Sequence, residues 1–409
     1  MEDLFPEEIG LIRDSVNRFM ETEVVPKMDA IEASGKFPRD LVLRAGAAGF
    51  YGNLFPESVG GSGMGYLAAA VVSEELARND VRFAACYNQQ AATCPYCIFT
   101  AGTVEQVVKY VPRLLAGETI GMMSLTEPGG GSDALGNMNT RAARDGDFYV
   151  LNGSKMWASM ANETDVGILL AKTDPDAGHR GVTAFIVDPK KNPGFEARPI
   201  EMHGLSKALR TNAVFLDDFK VPIENRLGEE GEGFQIVMQA LQAGRVTVAA
   251  KALGVARACF DDAVRYANER MVKGSPIGKF QMIQSDIADI AASIEASRLL
   301  VYDAARRMDA GLPCNRIAAI AKYHASKTAK MAADKAQQVF GGYGLATEYR
   351  VSWLKSYADL FFTGEGTANV QKILIAEDAL GYKVADRHHG KTKFRDPRSD
   401  DIVRPMTAE

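Results

Sequence analysis

The spacing of apolar residues changes twice along this 409-residue chain, and that double switch restricts the possible folds more than any single motif. Apolar residues recur at three and four spacings in Ile9 to Ile31, Leu41 to Ala48, Tyr66 to Ala77 and Val104 to Leu115, the period of amphipathic helices. Gly35, Pro38, Pro56 and the Gly60 to Gly65 cluster separate them. From about Gly121 to Gly228 the period shortens to β-rich runs, among them Phe148 to Leu151, Val166 to Ala171, Val182 to Val187 and Ala213 to Leu216. Asp145-Gly146, Asn152-Gly153 and Asn192-Pro193-Gly194 read as turns between antiparallel strands. Past Gly233 the helical period returns, broken at Gly274 to Pro276, Gly311 to Pro313 and Gly341 to Gly344. Three or four helices of roughly 25 to 35 residues with short connections predict an antiparallel bundle. The expected class is α+β: a helical domain over 1–119, an antiparallel β domain over 120–228, a helical bundle over 229–384, and a charged tail over 385–409 that reads as solvated, with packing on a neighbouring subunit as the alternative. A cleft is expected where the three segments meet.

Hydrophobic residues make up 46% and charged residues 24% of the chain, ordinary usage for a globular protein. No apolar run approaches the roughly 18 residues of a membrane span. The start, Met1 to Glu8, is acidic and carries Pro6, unlike a signal or transit peptide, so a cytoplasmic protein with no membrane partner is expected. Lys plus Arg total 47 against 52 for Asp plus Glu, a net charge of -5 with no basic patch, which argues against nucleic acid. Five cysteines fit a reducing compartment, and a lone Cys94-Pro-Tyr-Cys97 reads as buried or incidental thiols. The five histidines show no metal-ligand spacing, so no metal site is expected.

Three segments carry chemistry. Leu125 to Asp133, LTEPGGGSD, places three glycines where backbone can approach a flat or phosphorylated ligand; it is equally a surface turn, and it lacks the Lys-Ser/Thr of a nucleotide-hydrolase loop. Leu151 to Ser159 reads as a hairpin leading into a strand, on which Trp157 and Ser159 share a face and either flank an aromatic cofactor or form a core Trp beside an edge Ser. Phe361 to Thr367, FFTGEGT, sets one carboxylate between two glycines after aromatic residues. Glu365 is then either a base with a raised pKa or a helix N-terminal acid.

Together with Gln338 to Gly344, QVFGGYG, Gly244-Arg245-Val246, and Arg270 with Pro276-Ile277, these segments resemble the acyl-CoA dehydrogenase family over about residues 5 to 383. The resemblance implies the family's three-part architecture with a four-helix C-terminal bundle, bound FAD, and a homotetramer. Met123, Leu125, Thr126, Gly131 and Ser132 would meet the flavin, with Trp157 packing on the ring and Ser159 near its N5. Arg270, Gln281, Gln338, Gly341, Gly342, Thr367 and Asn369 would hold the adenine and pyrophosphate half, partly across a subunit boundary. Glu365 matches the catalytic base that removes the α proton of an acyl-CoA thioester while hydride passes to the flavin. A second position that supplies the base in some members is Gly244 here. Ser132, Arg245 and Gly366 would contact substrate, and an electron-transfer flavoprotein would take the electrons. The alternatives are an oxidase or an enoyl-CoA reductase on the same fold, or a non-catalytic acyl-CoA binding protein.

Two departures from the pattern bear on the acyl group. Gly364 stands where Tyr or Phe is common, which leaves room for a branched, cyclic or aromatic group. The segment Arg82 to Gln90 is polar, so Arg82, Tyr87, Asn88 and Gln90 either receive a carboxylate, as in dicarboxylyl-CoA enzymes, or face solvent.

Overall fold

The computed structural model describes residues 7–134, 136–387, 389–390, 392–400 and 402. The N-terminal helices are α1 (Glu7–Phe19), α2 (Val25–Ser34), α3 (Arg39–Ala47), α4 (Gly65–Ala84), α5 (Cys94–Ala101) and α6 (Val104–Leu115). A π-helical turn, Met20–Val24, joins α1 to α2. Thr103 and Gln106 form a reciprocal cap at the start of α6, and the Gln106 amide also donates to the carbonyls of Glu224 and Arg226. One side chain thus ends a helix and ties it to the sheet. All five cysteines are buried and free.

The sheet comprises β1 (Gly121–Ser124), β2 (Arg141–Asp145), β3 (Phe148–Ser159), β4 (Val166–Lys172), β5 (Val182–Val187), β6 (Phe195–Pro199), β7 (Thr211–Pro222) and β8 (Arg226–Leu227), in the order β6-β7-β3-β2-β4-β5-β8. It is mostly antiparallel, but β1 lies parallel to β4, and β2 meets β4 in parallel at Arg141 and Lys172. Asp145-Gly146 is the expected hairpin. Asn152-Gly153 is not a turn: it lies inside β3, where the register against β7 slips. Asn152 exchanges hydrogen bonds of 2.9 Å with the backbone N–H and the carboxylate of Asp218 on β7, so the dipeptide bulges instead of reversing the chain.

The C-terminal segment holds α7 (Gly233–Glu269), α8 (Gln281–Asp309), α9 (Asn315–Phe340), α10 (Val351–Thr363) and α11 (Ala368–Ala379). Among the described residues the bundle therefore has three long helices and two short ones. Between α7 and α8 a small hairpin pairs β9 (Met271–Val272) with β10 (Ser275–Pro276). Helix α4 runs against α7, with Ser73 Oγ donating to the Thr247 carbonyl at 2.7 Å. A Cβ on Gly254 would lie 2.3 Å from the Glu74 carbonyl, so the close crossing requires glycine there. The buried carboxylates of Glu74 and Glu75 on α4 meet Arg257 of α7, and Glu75 also meets Arg13 of α1. One apolar core accordingly spans both helical segments, while a second fills one face of the sheet around Met122, Tyr149, Phe185 and Phe219.

The tail differs from expectation. Phe394 is buried, the Arg395 guanidinium and backbone N–H reach the carbonyls of Phe99 and Thr100 at the end of α5, and Arg398 reaches those of Met308 and Asp309 at the end of α8. The last carbonyls of a helix have no partner within it, and these arginines supply one. A charge-rich composition reads as solvated because it cannot show which helix ends the chain returns to; His388 and residues 403–409 lie outside the described residues. No helix among the described residues is long and apolar enough to cross a membrane.

Candidate active site

Glu365 sits in the turn between α10 and α11. Thr367, not Glu365, caps α11, its hydroxyl accepting from the Val370 N–H at 3.2 Å. Glu365 itself has φ of 51°, a left-handed conformation that costs a non-glycine residue about 1–3 kcal/mol. The turn is held in place by Lys322 of α9, whose ammonium donates to the Gly366 carbonyl at 2.7 Å, and by the Gln371 amide at 3.0 Å. So constrained, the carboxylate turns inward. Asn88 Nδ2 donates to both of its oxygens, at 2.8 and 3.1 Å. A Cβ on Gly244 of α7 would stand 2.8 Å from Glu365 Oε2, so this glycine is the space the carboxylate occupies.

Burial raises the Glu365 pKa above its ordinary value, opposed by Lys251, by the Asn88 hydrogen bonds, and by Lys322 and Arg245. Lys251 and Lys322 are 4% and 0% exposed, and burial pulls the Lys322 ammonium down to about 8. A carboxylate in this setting holds a proton more readily than a solvated one.

The glycine-rich loop is anchored from beneath. Glu127 is buried, accepts from the backbone N–H groups of Asn139 (2.6 Å) and Thr140 (3.0 Å), and pairs with the fully buried Lys155 of β3 at 2.8 Å. The Thr126 carbonyl accepts from the Met156 N–H at 2.8 Å, which sets Thr126 beside Trp157. Trp157 has φ of 61° where the register of β3 against β7 slips between Lys155 and Ala158, so simple alternation does not place it on one face with Ser159. It is 52% exposed, not a core residue. Ser124 Oγ is buried with no hydrogen-bond partner among the described residues, Met123 is paired in β1, and Leu125 is partly buried. Gly131 and Ser132 are exposed. An open indole, a glycine cradle and an orphaned hydroxyl fit the edge and face of a flavin ring.

A cavity of about 620 Å³ lies at the other end of α7, lined by Tyr266, Arg270, Phe340, Gly341, Gly342 and Tyr343, with Arg270 over the Tyr343 ring at 5.5 Å. It unites Arg270 with Gly341 and Gly342 and presents a cation beside aromatic faces, suited to a pyrophosphate and an adenine. Gln281, Gln338 and Asn369 are exposed outside it.

Three of the polar candidates on Arg82 to Gln90 are already committed within the protein. Arg82 pairs with Asp80 (2.6 Å) and Asp29 (3.0 Å) and covers the Trp353 ring at 4.6 Å. Tyr87 donates its hydroxyl to the Ala69 carbonyl, and the Gln90 amide bridges Leu114, Thr119 and Gly121, joining α6 to β1. The segment is not one continuous helix: α4 ends at Ala84 and a π-helical turn runs over Gln89–Thr93. Asn88 does reach the site, as a donor to Glu365. Sequence reasoning missed Lys251, Lys322 and the Glu127–Lys155 pair; the signal was a single Lys251 within the otherwise uncharged stretch Val246 to Val255.

Family profiles agree with this architecture. Those described as the acyl-CoA dehydrogenase N-terminal, middle and C-terminal domains match residues 6–118, 122–219 and 231–380. The chain belongs to the acyl-CoA dehydrogenase family and is an FAD-dependent oxidoreductase acting on acyl-CoA thioesters. It is 41% identical over 384 residues to a glutaryl-CoA dehydrogenase of Desulfococcus multivorans, covering 93% of this chain and 98% of that one. It is 38% identical over 373 residues to a caffeyl-CoA reductase–Etf complex subunit of Acetobacterium woodii, covering 91% and 98%. The solved structure of a glutaryl-CoA dehydrogenase with glutaryl-CoA superposes with a TM-score of 0.90 at 39% identity, over 94% of this chain and 98% of that one.

Proposed function

We propose that Glu365 is the base that takes the α proton of the acyl-CoA thioester. The observation that carries this is the placement of its carboxylate: turned inward by a left-handed backbone, fixed by Asn88, and filling the space above Gly244. Bound FAD supplies the acceptor for the β hydride, and the product is the α,β-unsaturated thioester. Thr126, Trp157 and Ser159 would hold the flavin ring, and Arg270, Gly341 and Gly342 the adenine half. The Gln281, Gln338 and Asn369 side chains would complete that half from a second subunit, in a homotetramer working in the cytoplasm. An electron-transfer flavoprotein is the proposed electron acceptor; association with such a flavoprotein is supported by the relative named as a subunit of a caffeyl-CoA reductase–Etf complex. The test is anaerobic addition of acyl-CoA thioesters to the purified flavoprotein. Bleaching of the flavin band supports the reading, and a spectrum that no thioester changes overturns it.

The pH dependence follows from the direction of the Glu365 shift. Burial raises its pKa above 4.5, so the base begins to lose activity on acidification at a higher pH than an exposed glutamate would. The acid limb of kcat/KM is expected above 4.5. For stability the same shift has the opposite sense: the fold binds this proton more tightly than the unfolded chain, so the contribution is present at low pH and lost as pH rises through the folded value.

Gly364 bears on the breadth of the acyl pocket. Its φ of -75° and ψ of 160° suit any residue, and a Cβ there would meet only the Leu360 carbonyl (3.2 Å) and Leu360 Cδ1 (3.8 Å). The backbone conformation does not require glycine, although a Cβ would pack tightly against that carbonyl. Gly364→Phe is expected to shift the kcat/KM ratio toward straight chains and away from branched, cyclic or aryl thioesters by on the order of tenfold or more. An unchanged ratio would remove Gly364 from the acyl pocket.

A further inference from the structure

Lys251 is a buried cation that the proposed chemistry does not use. It is 4% exposed, and among the described residues it makes no hydrogen bond or ion pair, although burying an ammonium without a partner is costly. It lies seven residues beyond Gly244 on α7, two turns along the same face. A helical side chain leans toward the N-terminus of its helix, so Lys251 points back along that face toward Gly244 and the Glu365 carboxylate.

The charge around the site is unbalanced. Arg245, Lys251 and Lys322 are all buried, and each is influenced by the single Glu365 carboxylate, which already accepts two hydrogen bonds from Asn88. Lys322 is occupied by the Gly366 carbonyl, and Arg245 has a long contact of 3.5 Å to Asn315. The other group that senses Lys251 is Cys86, a buried thiol whose pKa is pushed up to about 11 and which is therefore neutral near pH 7. Asn88 Oδ1 is also buried without a partner beside the same carboxylate. Three buried cations thus face one carboxylate.

Resting on the reading of Glu365 as the base, we infer that Lys251 is the specificity-determining residue of the acyl pocket and that the acyl group it accepts carries a carboxylate at its far end. The thioester end meets Glu365, the acyl chain runs along α7, and the carboxylate ends at the Lys251 ammonium. Arg82, the anion receptor that the sequence suggested, is neutralised by Asp80 and Asp29 and is not needed for this.

The experiment uses the FAD-loaded protein carrying Glu365→Gln, which slows turnover, and measures the Kd of adipyl-CoA and glutaryl-CoA against their monomethyl esters. The esters keep the shape and remove the charge. The diacids are expected to bind tighter than the esters, and Lys251→Met is expected to abolish that preference, a change of about thirtyfold or more, while Arg82→Met keeps it. Lys251→Gln replaces Lys251→Met should the latter fail to yield folded flavoprotein. Equal Kd values for diacid and ester in the parent protein overturn the inference without any Lys251 variant, as does a preference that survives loss of Lys251 or disappears with Arg82. Flavin bleaching of the wild-type protein by the same four thioesters separates the two claims. If other acyl-CoA thioesters bleach the flavin but none of these four does, or if acid and ester bleach alike, only the inference about Lys251 falls; if no acyl-CoA thioester bleaches it, the reading of Glu365 falls.

Discussion

Replacing Glu365 with Gln is expected to lower the rate of flavin reduction by acyl-CoA on the order of 10² to 10⁴-fold while FAD remains bound. The substitution keeps the shape of the side chain, and one of its atoms can still accept from Asn88, so the turn held by Lys322 and Gln371 should stay in place. What is lost is the ability to take a proton. Gly244 offers no substitute, because it has no side chain and a Cβ there would collide with the carboxylate. Stopped-flow bleaching of the flavin band measures the effect, with the visible spectrum of the untreated protein as the control for cofactor content. A Gln variant reduced at a near-normal rate would transfer the proton abstraction to another group.

Lys155→Met is expected to destabilise the protein by about 3–5 kcal/mol and to weaken its hold on FAD. The reason is electrostatic. The Glu127 carboxylate and Lys155 ammonium are both buried, and their attraction offsets the desolvation of each only while both are present. Lys155 also reaches the Leu125 carbonyl, and Glu127 fastens Asn139 and Thr140, so one pair positions both ends of the proposed flavin loop. The double variant Glu127→Gln with Lys155→Met should recover part of the loss, since no unpaired charge is left buried. Urea unfolding and FAD dissociation read the two consequences separately. A single-variant loss below about 1 kcal/mol with FAD fully retained would show that the pair anchors nothing.

The pH dependence of this pair has a definite sign. The Glu127 pKa lies below its ordinary value: burial raises it, but Lys155 and the hydrogen bonds from Thr140 and Asn139 together outweigh burial. Its contribution to stability is therefore present above 4.5 and lost as pH falls through the lower folded value. Lys155→Met should make the acid unfolding of the protein less steep.

Much of the site was legible because its chemistry is local. The Gly-Glu-Gly-Thr run, the glycine-rich loop and the Trp-Ala-Ser segment each state their residue types in a few consecutive positions. The period-based readings of individual segments succeeded where the backbone stayed regular and failed where it did not. Arg82 to Gln90 reads as one polar segment, but α4 ends at Ala84 and a π-helical turn begins at Gln89, so its side chains do not follow one helical period. Likewise Asn152-Gly153 has the composition of a turn and the structure of a bulge, because Asp218 on a strand more than sixty residues away binds it.

The amino-acid sequence by itself determined the order of helical, β and helical segments and the identity of the carboxylate proposed as base, since period and motif are properties of neighbouring residues. Only the tertiary structure decided what surrounds that carboxylate. Asn88, Gly244, Lys251 and Lys322 come from three different regions of the chain, and nothing in their local sequence says that they converge. The tail shows the same division: its arginines look solvated in composition, and they are partners for helix ends because of where the chain returns. Burial and charge pairing depend on distance in space, and a linear pattern records only distance along the chain.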